Sequence, residues 1–455
     1  MKSILPYRII FILIGFILFT PISAKAYSVL THEALIDASW SKNIKPLLKL
    51  KFPGASDDDL KKAHAYAYGG CLLADMGYFP FGSLYFTNLS HYTRSGDFVE
   101  ALLSESQNIN EYAFALGSLC HYMADRYGHS IGTNHAVPIV YPKVAKKFGA
   151  VATYEDDNSA HKKVELSFDV LETAKGNYAA EAYHDFIGFE VAKPVLERAF
   201  LKTYGEDINS VFGDLDLAIS TYRWSVKSLM PTVTRAAWKL RKNDILKANP
   251  SANSHTFHYK MNKKAYIKEF GSSRNKGNFG ERMMAFLIRI LPKVGPLKPL
   301  TFKDPGPKAE ELFIRSFDTV LVHYNLALAS LHSHRLDLPD VDYDTGKQTH
   351  FGEYNLADKT YDKLVENLKN TKYNNLTEGL KQNILDFYSK ADTTALAKRD
   401  PKEWKKTYLA LQGVRSANTI INDSLKTAKG LNYKLNEPVI NTAGNQQNQR
   451  HALKN

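Results

Sequence analysis

EYAFALGSLCHYMADRYGH, residues Glu111–His129, decides how this chain is read. Phe114, Leu116, Leu119 and Met123 fall at mixed three and four spacing, the signature of a helix with one buried face, and Gly128 offers a stop. Patterns of the same kind run over Asp57–Ala74, Ala160–Ala174, Tyr178–Tyr204, Leu215–Arg241 and Lys308–Ser333, while strand signals are few and short. An all-α architecture follows, several helices packed around one core and joined by loops such as GYFPFGS (Gly77–Ser83).

The polar residues on this helix raise the second question. His121, Asp125 and His129 stand at i, i+4 and i+8, so neighbours in the series share a face, though the two ends point about 80° apart. An aspartate in the middle of such a series is placed to bridge two metal ions. His161 and Glu165 repeat the i, i+4 spacing on a later helix. His32, Asp75 and His91 add ligand-type side chains from separate parts of the chain. Seven of the 15 histidines lie between His32 and His161. Cys71 and Cys120 are the sole cysteines, too few for a metal finger or a disulfide scaffold. Any metal would therefore be held by nitrogen and oxygen, a set that suits Zn²⁺. Export permits a bond between the two cysteines, and reduced, buried thiols are the favoured alternative.

Residues 1–26 are read apart from the rest. Lys2 and Arg8 precede an apolar run from Ile9 to Phe19, and Ala24-Lys25-Ala26 has the small-x-small form of a cleavage site, as in a secretory signal. Cleavage there makes Tyr27 the new N-terminus, whose α-amino group and carbonyl can chelate a metal. The charge is +12 over 455 residues. No later stretch is long and apolar enough for a membrane span, so a secreted or periplasmic protein is expected. Beyond residues 27–238, residues 239–305 read as a basic insertion or linker, 306–425 as a helical C-terminal region and 426–455 as a polar, disordered tail.

Taken together, the processed aromatic N-terminus, THE (Thr31–Glu33), the Gly70–Asp75 segment, His91, the H-x-x-x-D helix and the later H-x-x-x-E resemble the zinc-dependent phospholipase C family, related to the three-zinc single-strand nucleases. The resemblance spans about Tyr27–Val170. It implies that Asp75, His91 and His121 hold one zinc, with Asp125 shared. It implies a second zinc on Asp125, His32 and the amine and carbonyl of Tyr27, and a third on His129, His161 and Glu165. The sequence departs from the family in two places. The histidine after the H-x-x-x-D aspartate follows at four residues instead of six, which leaves His135 as a substitute for His129. Tyr27 stands where tryptophan is usual. His64 matches no ligand position and is read as structural.

Three clustered zinc ions suit phosphate-ester hydrolysis by metal-hydroxide attack, with no serine or cysteine nucleophile needed. Asp75 is implied both as ligand and as the carboxylate that orients or deprotonates the water. The expected substrate is a phospholipid, cleaved to diacylglycerol and a phosphorylated headgroup. Transient contact with a membrane surface is also expected, and the apolar stretch Met283–Leu297 is read as a core helix or an interfacial segment. The alternative is a three-zinc nuclease, with nucleic acid stacking on the aromatic-laced basic segment Lys239–Arg282. A non-enzymatic zinc-stabilised protein leaves the full ligand inventory unexplained. DVDYDTG (Asp340–Gly346) misplaces the glycine of a calcium loop and has Phe351 where a glutamate is needed, so an exposed acidic turn is expected there.

Overall fold

A computed structural model of the chain describes residues 29–175, 177–178, 187–230, 233–234, 237, 300–332, 336–391, 401–421 and 425. The signal segment, Tyr27, the basic segment up to Arg282, the apolar stretch Met283–Leu297 and the tail from 426 lie outside the described residues. The longer helices are α1 (Val29–Ser39), α2 (Asp57–Gly70), α3 (Leu84–Tyr92), α4 (Ser95–Ser104), α5 (Ile109–Tyr127), α6 (Asn158–Ala174), α7 (Lys193–Tyr204), α8 (Leu215–Trp224), α9 (Gly306–His332), α10 (Asn355–Asn370), α11 (Glu378–Phe387) and α12 (Pro401–Ser416). Among the described residues the only β pairing is two isolated bridges, Asp342 with Lys347 and Thr377 with Ile420. The architecture is all-α. No described helix is long and apolar enough to cross a membrane.

The central helix is α5. Asn108 starts it by accepting the backbone N–H groups of Asn110 and Glu111, satisfying donors that a helix N-terminus leaves open. α2 crosses it without room for side chains: a Cβ on Gly70 would lie 1.9 Å from the Phe114 carbonyl oxygen, and one on Gly117 would lie 2.1 Å from that of Ala67. The opposing glycines let the two backbones meet. α2 is itself begun by a reciprocal cap between Ser56 and Asp59.

One hydrophobic core runs from Val29 to Val414. α9 belongs to it: Phe313 stacks on Phe168 of α6 at 4.5 Å, and the Tyr324 hydroxyl donates to the Leu116 carbonyl of α5 at 2.9 Å. At its other edge, Asn325 Oδ1 accepts from Ser39 Oγ and Asn43 Nδ2, both at 2.9 Å.

Several sequence expectations need correction. Gly128 does not stop the helix; the chain continues through a wider π turn over Gly128–Thr133. The Asp57 helix ends at Gly70, and Leu73–Tyr78 form a 3₁₀ turn. Tyr178–Tyr204 is not one helix: the chain is non-helical over 188–192, and α7 starts at Lys193 with Pro194 in its first turn, where a missing N–H costs nothing. The α-helix begun at Leu215 gives way to a π turn at Ser225. Asp342 and Asp344, expected on an exposed turn, are each only 1% exposed. Cys71 and Cys120 are buried free thiols, as expected, and burial raises both above the usual thiol range.

Candidate metal centre

Four elements converge beside α5. The 3₁₀ turn after α2 carries Asp75, α3 carries His91, α1 carries His32, and α6 carries His161 and Glu165. All are buried, with Asp75 and Glu165 the most exposed at 4%. Their ligand-type atoms form three groups, each gathered within 4.8 Å: Asp75 with His91 and His121, His32 with His121 and Asp125, and His129 with His161 and Glu165.

Asp125 lies between the first two groups. Its Oδ1 faces His32 Nε2 at 3.3 Å, and its Oδ2 faces His121 Nε2 at 3.2 Å and His91 Nε2 at 3.6 Å. Asp75 Oδ1 faces His91 Nε2 at 3.6 Å. In the third group Glu165 Oε1 stands 2.8 Å from His161 Nε2 and 3.3 Å from His129 Nε2. His129 is the second residue of the π turn Gly128–Thr133, and its ring reaches the ligands of α6. His135 lies outside all three groups. His64 is also outside them; its Nε2 pairs with Asp37 at 2.8 Å and its ring stacks on Trp40 at 3.8 Å.

The rings are oriented from behind. His91 Nδ1 lies 2.8 Å from the Thr87 carbonyl and His121 Nδ1 lies 2.9 Å from that of Cys71. Each Nδ1 therefore carries a proton, and Nε2 is the nitrogen turned toward the centre. α6 also fixes α1. Asp169, one further step of four past Glu165, accepts from the backbone N–H of Leu30 at 2.9 Å and of Thr31 at 3.2 Å, and from the Thr31 hydroxyl at 2.8 Å. This anchors the turn that bears His32. Asp157 caps α6 by accepting from the Ala160 N–H at 2.9 Å, just before His161. Sequence reasoning missed Asp169, although its place in the His161–Glu165–Asp169 series was a usable signal.

The electrostatics are those of a site built for cations. Burial alone would lower the His121 imidazole, but the nearby charges of Asp125 and Asp75 lift it to about 9. Burial likewise works to lower His129, yet Asp125, Asp344 and Glu165 carry it well above the usual range. Burial works to raise Asp125, and His121 and His129 hold it well below the carboxylate range. Glu165 is also held low, against its burial, by His161 and His129. His121 Nε2, both Asp125 oxygens, His129 Nε2, His161 Nε2 and Glu165 Oε1 are buried with no partner in hydrogen-bond geometry. Buried polar atoms that converge unsatisfied call for a further group, and an all-histidine and carboxylate set fits Zn²⁺. The described residues thus pass the test for a metal.

Comparison with known proteins agrees with this chemistry. Residues 31–214 match the family model of zinc dependent phospholipase C, and all eight described residues of the three groups fall within that span. The match covers less than half of the chain and supports a zinc-dependent phospholipase C domain over residues 31–214. No curated protein and no solved structure matches it.

Proposed function

We propose that the chain is an exported zinc-dependent phospholipase C that holds three zinc ions and cleaves a phospholipid to diacylglycerol and a phosphorylated headgroup. The observation that carries the reading is Asp125, whose two oxygens face two separate ligand groups. Asp75, His91, His121 and Asp125 would hold one ion. Asp125 and His32 would hold the second, completed by the amine and carbonyl of Tyr27 after cleavage behind Ala26. His129, His161 and Glu165 would hold the third. Zinc bound there neutralises the phosphate and makes water a competent nucleophile near neutral pH.

The chain's own residues do the rest. Thr87 and Cys71 carbonyls hold the His91 and His121 rings with Nε2 inward, so the ligands need little reorganisation. Asp75, on the short 3₁₀ turn, is the carboxylate that orients the attacking water and takes up its proton. Burial of all the groups excludes bulk water and strengthens each charge interaction.

The test offers processed full-length protein phosphatidylcholine vesicles and single-stranded DNA, each with and without chelator. Chelator-sensitive release of diacylglycerol, with about three zinc ions per chain by elemental analysis, is expected. Release of nucleotides without diacylglycerol would replace the lipid reading with a nuclease. One extra residue left ahead of Tyr27 is expected to remove one ion and most activity; a full zinc load in that variant would overturn the role of the amine.

A further inference from the structure

The third ligand group is approached from behind by a part of the chain outside the 31–214 family match. Residues 338–347 are sewn into the core. Leu338 N–H donates to Glu100 Oε1, the Tyr122 hydroxyl donates to the Pro339 carbonyl, Val341 exchanges two hydrogen bonds with Ser95, and Tyr343 N–H donates to the His91 carbonyl. The Tyr343 ring then packs beside His91 and His121, with centroids 5.2 and 5.8 Å away. The turn closes at Gly346, whose φ of +71° puts it in the left-handed region and whose missing Cβ would sit 2.5 Å from the Arg126 carbonyl oxygen.

This bracing fixes Asp344. Its Oδ2 accepts from the Tyr92 hydroxyl at 2.8 Å and the Tyr354 hydroxyl at 2.7 Å. Its backbone carbonyl accepts from Asn134 Nδ2 and its N–H donates to Asp342 Oδ1, both at 2.7 Å. The other carboxylate oxygen, Oδ1, faces His129 Nδ1 at 3.6 Å. His129 Nε2, on the far side of the ring, faces Glu165. Asp344 is outside the three groups that converge within 4.8 Å, so it stands behind a ligand instead of beside it. His91 and His121 are backed by main-chain carbonyls within hydrogen-bond distance; His129 Nδ1 is buried with no partner in hydrogen-bond geometry and instead faces the charge of Asp344 Oδ1.

We propose that Asp344 is a positioning residue for the third metal group, its carboxylate charge facing the otherwise unbonded Nδ1 of His129 so that Nε2 stays turned toward His161 and Glu165. This rests on the reading of that group as a zinc site. A carboxylate behind a metal-bound imidazole fixes its orientation and makes it a better donor, and loss of such a partner weakens metal affinity about 10- to 100-fold. The C-terminal region thereby contributes to the centre itself.

The experiment compares zinc binding by full-length wild type, Asp344→Asn, Tyr354→Phe and His129→Ala across a series of zinc buffers, with near-ultraviolet circular dichroism as the check on fold. Asp344→Asn keeps the shape but removes the charge that faces Nδ1. Its affinity is expected to fall about 10- to 100-fold for one ion, the same ion that His129→Ala loses. A folded Asp344→Asn protein with wild-type affinity for every ion would overturn the assignment. If that variant fails to fold, Tyr354→Phe decides: it removes one hydroxyl from the other carboxylate oxygen, and should weaken the same ion, to a smaller degree. Unchanged binding in it would overturn the proposal. Wild type that takes up no zinc overturns the metal reading beneath it, whereas wild type with three ions and an indifferent Asp344 leaves that reading standing.

Discussion

Asp125 is the residue on which the centre turns. It lies fully buried between His32, His91 and His121, so replacing it removes a charge from two ligand groups at once. Asp125→Asn is expected to cost two of the three zinc ions proposed above and at least about 100-fold in activity, the upper end of what a mere outer partner costs. Elemental analysis beside a diacylglycerol assay checks it; retention of three ions would rule out the bridge. The same pairing predicts a pH dependence with a definite sign. His121 is raised to about 9 in the metal-free protein, so the folded chain binds its proton more tightly than the unfolded one. That stabilisation is complete below about pH 6.5, the ordinary imidazole value, and is lost as pH climbs through about 9, a change on the order of 3 kcal/mol. Zinc uptake runs the other way, because Nε2 must first give up its proton, and affinity should rise over the same interval. Denaturation midpoints of metal-free and zinc-loaded protein at pH 6.5 and 9.5 would show it: the metal-free midpoint falls and the loaded one does not follow.

At the scale of elements, the crossing of α2 and α5 sets where these residues stand, since His121 lies one turn past Gly117. In an exposed helix, glycine to alanine gains about 1 kcal/mol from propensity. At Gly117 the new methyl would meet the Ala67 carbonyl oxygen at 2.1 Å, an overpacking that costs about 1–3 kcal/mol. Gly117→Ala should therefore lower the unfolding midpoint and loosen zinc at His121. Gly54, where an added methyl would find nothing within 4 Å, is the control, and Gly54→Ala should be near neutral. The helices and the gathering of His121, Asp125, His161 and Glu165 on facing stripes were legible because four-residue spacing is a property of the local backbone. The π turn at Gly128–Thr133 was not. A single extra residue in a helical turn leaves no mark in apolar periodicity, and glycine there reads as a stop. The four-residue step from Asp125 to His129 marked this place as a departure from the family spacing, yet His129 still joins His161 and Glu165.

For the whole molecule, the relation between the first 230 residues and the helices after residue 300 was the least legible. An acidic turn such as Asp340–Gly346 is usually solvated, and no local pattern announces that Tyr92 and Tyr354 receive its carboxylate. Long-range burial of this kind depends on which surfaces meet. α9 is the larger case. Phe313, Phe317, Val320 and Tyr324 are all buried, and Phe313 and Tyr324 reach α6 and α5, the helices that carry His161, Glu165, His121 and Asp125. Burying an aromatic or aliphatic side chain of this size contributes about 1.5–3 kcal/mol, so four of them are comparable to the whole net stability of an ordinary domain, about 5–15 kcal/mol. A protein ended at residue 238, close to the family-matched span, should therefore lose its fixed packing. We expect it to keep helical far-ultraviolet dichroism, bind a hydrophobic dye, melt without cooperativity and fail to retain zinc, the pattern of a chain that has collapsed without specific packing. A cooperative melt and a full zinc load in that shortened protein would show instead that α9 and the turn bearing Asp344 sit upon a centre already complete without them.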